Sequence, residues 1–148
     1  MASYSVTHET PGGTNLALIN LTGGANNQLF LEMFSITADE TAPAEQQQLY
    51  NLVRTTDVGT GGTGLTEIKT NPLTSAPVGA AIGGTFTGQP TISNVIWLGG
   101  VHQKIPFVMQ YYPGREPVSP AVAGDGLELE CNAASAAFAA PVSMNWHE

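Results

Sequence analysis

The stretch RTTDVGTGGTGLTEIKTNPL, residues 54–73, sets Gly59, Gly61 and Gly64 in a G-x-G-x-x-G spacing. In dinucleotide-binding units, glycines so spaced let the backbone approach a pyrophosphate that rests on the N-terminus of a helix. That chemistry needs a strand before the glycines, a helix after them, and an acid about 20 residues on for the ribose. Here the segment that follows is rich in β-branched residues and stops at Asn71-Pro72, and after Glu67 the next acid is Glu116. No G-K-[ST] follows either, which excludes a Walker loop. The spacing therefore predicts a connection between strands, and no cofactor is assigned to it.

The remaining reactive residue types are equally scattered. His8, His102 and His147 show no H-x-H or H-E-x-x-H spacing and predict surface or edge-strand positions rather than a metal site. The single cysteine, Cys131, alternates with Leu127 and Leu129, as a small buried hydrophobe would. Asp39, Glu40 and Asp125 read as solvated loop acids and not as calcium ligands. No G-x-S-x-G occurs, so no ordered serine triad is assigned and the chain is not expected to be an enzyme. Tyr111 and Tyr112 beside Pro113, together with Trp97 and Arg115, form the candidate interaction surface. Packing in a core or at a strand edge is the commoner fate of such aromatic rings.

The elements that must carry these residues are strands. Only 11% of the 148 residues are charged, against about 25% in ordinary globular chains. Long helices need charges on their wet face, and Gly or Pro interrupts nearly every helical window. Alternating or continuous apolar runs cover residues 4–7, 16–21, 29–36, 49–56, 65–70, 92–98, 105–112, 127–131 and 142–146, with 80–87 as a weaker strand candidate. One short helical turn is expected after Thr41, around Glu45 and the glutamines that follow. In LELEC, Leu127, Leu129 and Cys131 are expected to face in, with Glu128 and Glu130 facing out. The pattern predicts one all-β domain over residues 1–148: a two-sheet antiparallel sandwich, a single jelly roll of about eight strands with little or no helix.

Charge narrows the partners. Four Lys and Arg against twelve Asp and Glu give a net charge of −8, which disfavours nucleic acid and anionic membrane surfaces. No apolar run reaches the ~18–20 residues of a membrane span, and the first residues lack a signal-peptide pattern. Synthesis in the cytoplasm is expected.

The order of features resembles the small jelly-roll virion proteins of tailed bacteriophages. An apolar strand LFLEMFSIT leads to an acidic, proline-bearing loop ADETAPAE, and LYNLVRTT precedes the Gly/Thr stretch and an N-P-L turn. The region around Trp97, the PGREPV connection at 113–118, DGLEL and the closing NWHE complete the likeness, which spans nearly the whole chain. The resemblance implies a capsid decoration or cement protein, a homotrimer on the outer surface of a shell of major capsid protein. A carbohydrate- or receptor-binding jelly roll is the alternative, with Tyr111, Tyr112 and Trp97 as its stacking surface.

Overall fold

The computed structural model describes residues 2–11, 16–37, 47–83, 86–102, 104–131 and 139–148. Among the described residues eleven strands are present and none is helical: β1 (Ser3–Pro11), β2 (Leu16–Thr22), β3 (Phe30–Ile36), β4 (Gln47–Thr55), β5 (Thr63–Gly64), β6 (Ile68–Lys69), β7 (Ala80–Gly83), β8 (Ile92–His102), β9 (Phe107–Gln110), β10 (Gly126–Cys131) and β11 (Ala139–His147). They form two antiparallel sheets, ordered β6-β1-β11-β3-β9 and β5-β7-β2-β10-β4-β8. With the short β5, β6 and β7 set aside, the strands run first, eighth, third, sixth in one sheet and second, seventh, fourth, fifth in the other. That nesting is consistent with a jelly roll.

The sheets pack face to face because each offers one apolar face. Tyr4 and Val6 of β1, Leu31, Phe34 and Ile36 of β3, and Val142, Met144 and Trp146 of β11 line the first sheet's inner side. Ile19 and Leu21 of β2, Tyr50 and Leu52 of β4, and Leu127, Leu129 and Cys131 of β10 line the second. Burying each large side chain contributes roughly 1.5–3 kcal/mol, which makes this shared core the main source of stability. A register shift of the β11–β3 pair between Asn145 and Trp146 explains why Leu31 and Phe34, three residues apart, both point inward. The extra residue turns Glu32 and Met33 toward the outer side.

The structure departs from the expected elements at several places. The expected strand 65–70 shrinks to Ile68–Lys69, with Ile68 largely exposed. Residues 105–112 keep only Phe107–Gln110 as strand: Pro106 has no N–H to donate, and Pro113-Gly114 turns the chain. That turn is closed by Arg115 N–H donating to the Tyr112 carbonyl at 2.9 Å, with Gly114 at φ +82°. A proline followed by a residue at positive φ is the type II arrangement, which glycine adopts without strain. The opposite happens in β8, which runs through Gly99-Gly100 to His102 because β4 supplies ladder partners as far as Gln47. For the same reason Gln47 and Gln48 are strand residues and not part of a helical turn, while Thr41 and Glu45 lie outside the described residues. Glu128 and Glu130 do point away from the core, as alternation predicts, yet they are only 1% and 3% exposed.

Candidate interaction surfaces

The glycine stretch forms a strap. Asp57 Oδ1 accepts hydrogen bonds from Gly59 N–H at 2.8 Å and Thr91 N–H at 3.2 Å, and Thr60 bridges to Gly88. Residues 57–60 are thereby joined to 87–91. Gly61 has φ +79°, and a Cβ there would come within 2.5–2.9 Å of Thr87, so a side chain is excluded by close chain approach. After Gly61 comes strand β5 and not a helix, so no helix N-terminus is available to meet a phosphate. The strap is tied to β2, where Asn20 Nδ2 donates to the Asp57 carbonyl and Ala17 N–H to Gln89 Oε1.

Beside the strap, the outer side of the second sheet holds a buried polar layer of Asn20, Asn51, Glu128 and Glu130. Asn51 Nδ2 donates to Glu130 Oε1 at 2.6 Å, whereas Glu128 Oε2 and Asn51 Oδ1 have no partner among the described residues. Burial, then the neighbouring Glu130 and Asp57 carboxylates, push the Glu128 carboxyl up to about 8. Hydrogen bonds from Thr91 and Gly59 hold Asp57 below the usual carboxylate range, which keeps that nearby charge in place. The sequence offered no sign of this layer, because its residues alternate with core positions as surface residues do.

The four residues of the candidate surface are split. Trp97 turns inward: its ring stacks on Phe107 at 5.2 Å and meets Phe34 at 5.3 Å. This cluster joins β8 of one sheet to β9 and β3 of the other. Tyr111 is half-buried and packs against the core, and burial raises its pKa. Tyr112 is 80% exposed and Arg115 is exposed, on either side of the Pro113-Gly114 turn. Tyr111 does line a cleft of about 300 Å³ with Glu32, Gln110, Glu116 and Asn145 on the outer side of the first sheet. Glu32 is positioned there by His147, whose Nδ1 lies 2.9 Å from Glu32 Oε1 and whose ring stacks on Phe30.

The other histidines stand apart from this pair. His8 of β1 is half-buried with Nε2 unpartnered, and burial lowers its pKa. His102 accepts the Lys104 N–H at Nδ1. Among the described residues, no three His, Cys, Asp or Glu side chains come together as metal ligands would. Cys131 is buried and accepts a hydrogen bond from Gln48 Nε2.

The most extensive feature is the distribution of charge over the sandwich. All twelve acids lie outside residues 68–115, which hold Lys69, Lys104 and Arg115; that stretch carries +3 and the remainder −11. The acid-free stretch supplies β8 and β9 at one margin of the sandwich and β6 and β7 near the other, where β5 lies outside β7 and the Glu148 and Glu67 carboxylates accept the Val78, Gly79 and Ala81 N–H groups. It also carries exposed aliphatic side chains, among them Leu73, Val78, Val95, Leu98 and Val108, at 59–92% exposure. The acid-bearing strands β1, β3 and β10 lie between those margins, together with β2, β4 and β11, which hold no acid.

Comparison with protein-family models, with curated proteins and with solved structures found no match.

Proposed function

We propose that this protein is a virion structural component of the capsid decoration type, which binds the outer surface of a shell of major capsid protein and stabilises the head. The carrying observation is the exposure of aliphatic side chains on strands that end their sheets: Ile68 on β6, Val95 and Leu98 on β8, and Val108 on β9. Exposed apolar groups next to open strand edges are a liability in a free monomer and an asset in an assembly. The resemblance to small phage virion proteins supports a capsid as that assembly. Such a role requires a tightly packed body and no catalytic centre. A core shared by both sheets and closed without disulfides meets the first requirement.

The test is to purify particles from the source phage and measure this chain by quantitative mass spectrometry. Hundreds of copies per particle, with heads that lose heat resistance when it is deleted, are expected. Absence from the particle, or a few copies confined to the tail, would sink the proposal.

A carbohydrate- or receptor-binding virion role is the second possibility, and the cleft beside Tyr111 supports it. Its carboxylates and amides are groups that bind sugar hydroxyls, and Tyr111 supplies a ring wall. Binding on a glycan array that is abolished by Glu32→Gln would favour it; a flat array removes it.

A further inference from the structure

The cleft beside Tyr111 is built around one irregular residue of β3. Asn145 of β11 pairs with Met33 and Trp146 with Leu31, so the ladder passes over Glu32. A bulge re-aims the residue it leaves out of register, and bulges gather beside functional sites for that reason. The Glu32 carbonyl accepts the Tyr111 N–H at 2.9 Å, which ties the chain just past β9 to the bulge. The carboxylate is oriented as well. His147 Nδ1 at 2.9 Å and Ser3 Oγ at 3.5 Å both meet Oε1, which leaves Oε2 to accept from a ligand.

Gln110, Glu116 and Asn145 complete the polar lining, with Met33, Tyr111 and Pro113 as the less polar wall. A second depression, of about 200 Å³, is lined by Gln110, Tyr111, Tyr112 and Pro113. The two adjoin along the residues they share, Gln110, Tyr111 and Pro113. The first, at about 300 Å³, has the size of the smallest ligand sites, and the second extends it toward the exposed ring of Tyr112. Glu32 and Glu116 are the charged side chains on these walls, and Arg115 is on neither.

We propose that the paired cleft binds a linear oligosaccharide of two or more units that carries no acidic group. This rests on the carbohydrate-binding reading and names its ligand class. One sugar ring sits among Glu32, Gln110, Glu116 and Asn145, where hydroxyls donate to carboxylate oxygens and the amides both donate and accept. The next unit runs past Tyr111 onto Tyr112, whose rings offer flat apolar faces to the C–H side of a sugar. A uronic or sialic acid would bring its own carboxylate beside two others, in a chain of net charge −8, with no Lys or Arg on the walls to offset it.

The isotope-labelled full chain is titrated by NMR with maltotriose, cellotriose and triacetylchitotriose, each beside its own monosaccharide, and with trigalacturonic acid. At least one neutral trisaccharide should shift the Glu32, Gln110, Tyr111 and Asn145 amides and bind roughly tenfold tighter than its monosaccharide. Trigalacturonic acid should shift none of them. Tyr112→Ala should keep the monosaccharide affinity, lose the gain from chain length and melt like the parent, since that ring is 80% exposed. Glu32→Gln should lose binding of both. Equal affinity for trisaccharide and monosaccharide, binding of trigalacturonic acid at these amides, or a Tyr112→Ala variant that binds like the parent overturns the proposal and leaves the carbohydrate reading standing. No shift with any neutral probe overturns the proposal, and a flat glycan array then removes that reading too. Trilysine that shifts the same amides where the sugars do not makes the cleft a seat for basic peptide and likewise overturns it.

Discussion

Asn51 on β4 donates a 2.6 Å hydrogen bond to Glu130 on β10, while Glu128, two residues earlier on the same outer face, keeps one carboxylate oxygen without a partner. Two carboxyl groups are thus buried side by side, and only one is compensated by an amide. The pair makes the second sheet sensitive to pH and to substitution in ways a solvated face would not be.

Glu128 should set the pH dependence of stability. Its carboxyl titrates at about 8 when folded and near the ordinary carboxyl value of 4.5 when unfolded. Between those values the folded state holds the extra proton, so stability is full below about 4.5 and falls as pH rises through about 8. Glu128→Gln removes the titration. In urea unfolding it should match the parent near pH 4 and exceed it by about 3 kcal/mol at pH 7. A parent that grows more stable from pH 5 to 8 would contradict this.

Asn51→Ala removes the donor to Glu130 and leaves that carboxyl buried without it. The expected cost is about 1–3 kcal/mol in denaturant unfolding. Asn94→Ala, on an exposed stretch of β8, serves as the control and should change stability by less than about 0.5 kcal/mol.

Trp97→Ala should destabilise the protein by about 3 kcal/mol, because the indole joins the two sheets through Phe107 and Phe34. A change in near-ultraviolet circular dichroism should accompany the loss, since the stacked rings lie in a fixed asymmetric environment. Tyr112→Ala, by contrast, should leave the melting temperature unchanged. If Trp97→Ala proves as harmless as Tyr112→Ala, the inward packing of the indole is wrong.

Gly61→Ala meets both a positive φ and the Thr87 backbone. It should cost about 1–3 kcal/mol and raise hydrogen exchange at the Thr60 and Gly88 amides, which pair across the strap. Nucleotides should not alter the parent's melting temperature; a dinucleotide-dependent rise would restore a cofactor role to the glycines.

The sandwich was legible in the sequence because core strands alternate or run apolar: Tyr4 and Val6, Leu127 and Leu129, Met144 and Trp146 sit where that pattern puts them. What could not be read was set by contacts distant along the chain. Residues 99–102 are strand because β4 lies alongside them, not because of their own preferences. Glu128 and Glu130 look solvated in sequence, since alternation gives the face and says nothing of what covers it. Sequence alone groups Trp97 with Tyr112 as a surface ring, but a β-strand aromatic points in or out according to register, and the register with Leu52 points it in. The acid-free stretch was visible as a gap between Glu67 and Glu116, but its place at the sheet margins came only with the strand order.

The β1–β11 ladder aligns Ser3 with His147 and continues to Pro11 beside Ala139. The outer ends of both strands therefore meet at one end of the pair. Force applied at Ser3 and His147 would peel this ladder one rung at a time, as a zipper opens, and would never load its rungs together in shear. A shell under internal pressure would strain such a protein least if it gripped the sandwich by its flanks and left those two strand ends slack.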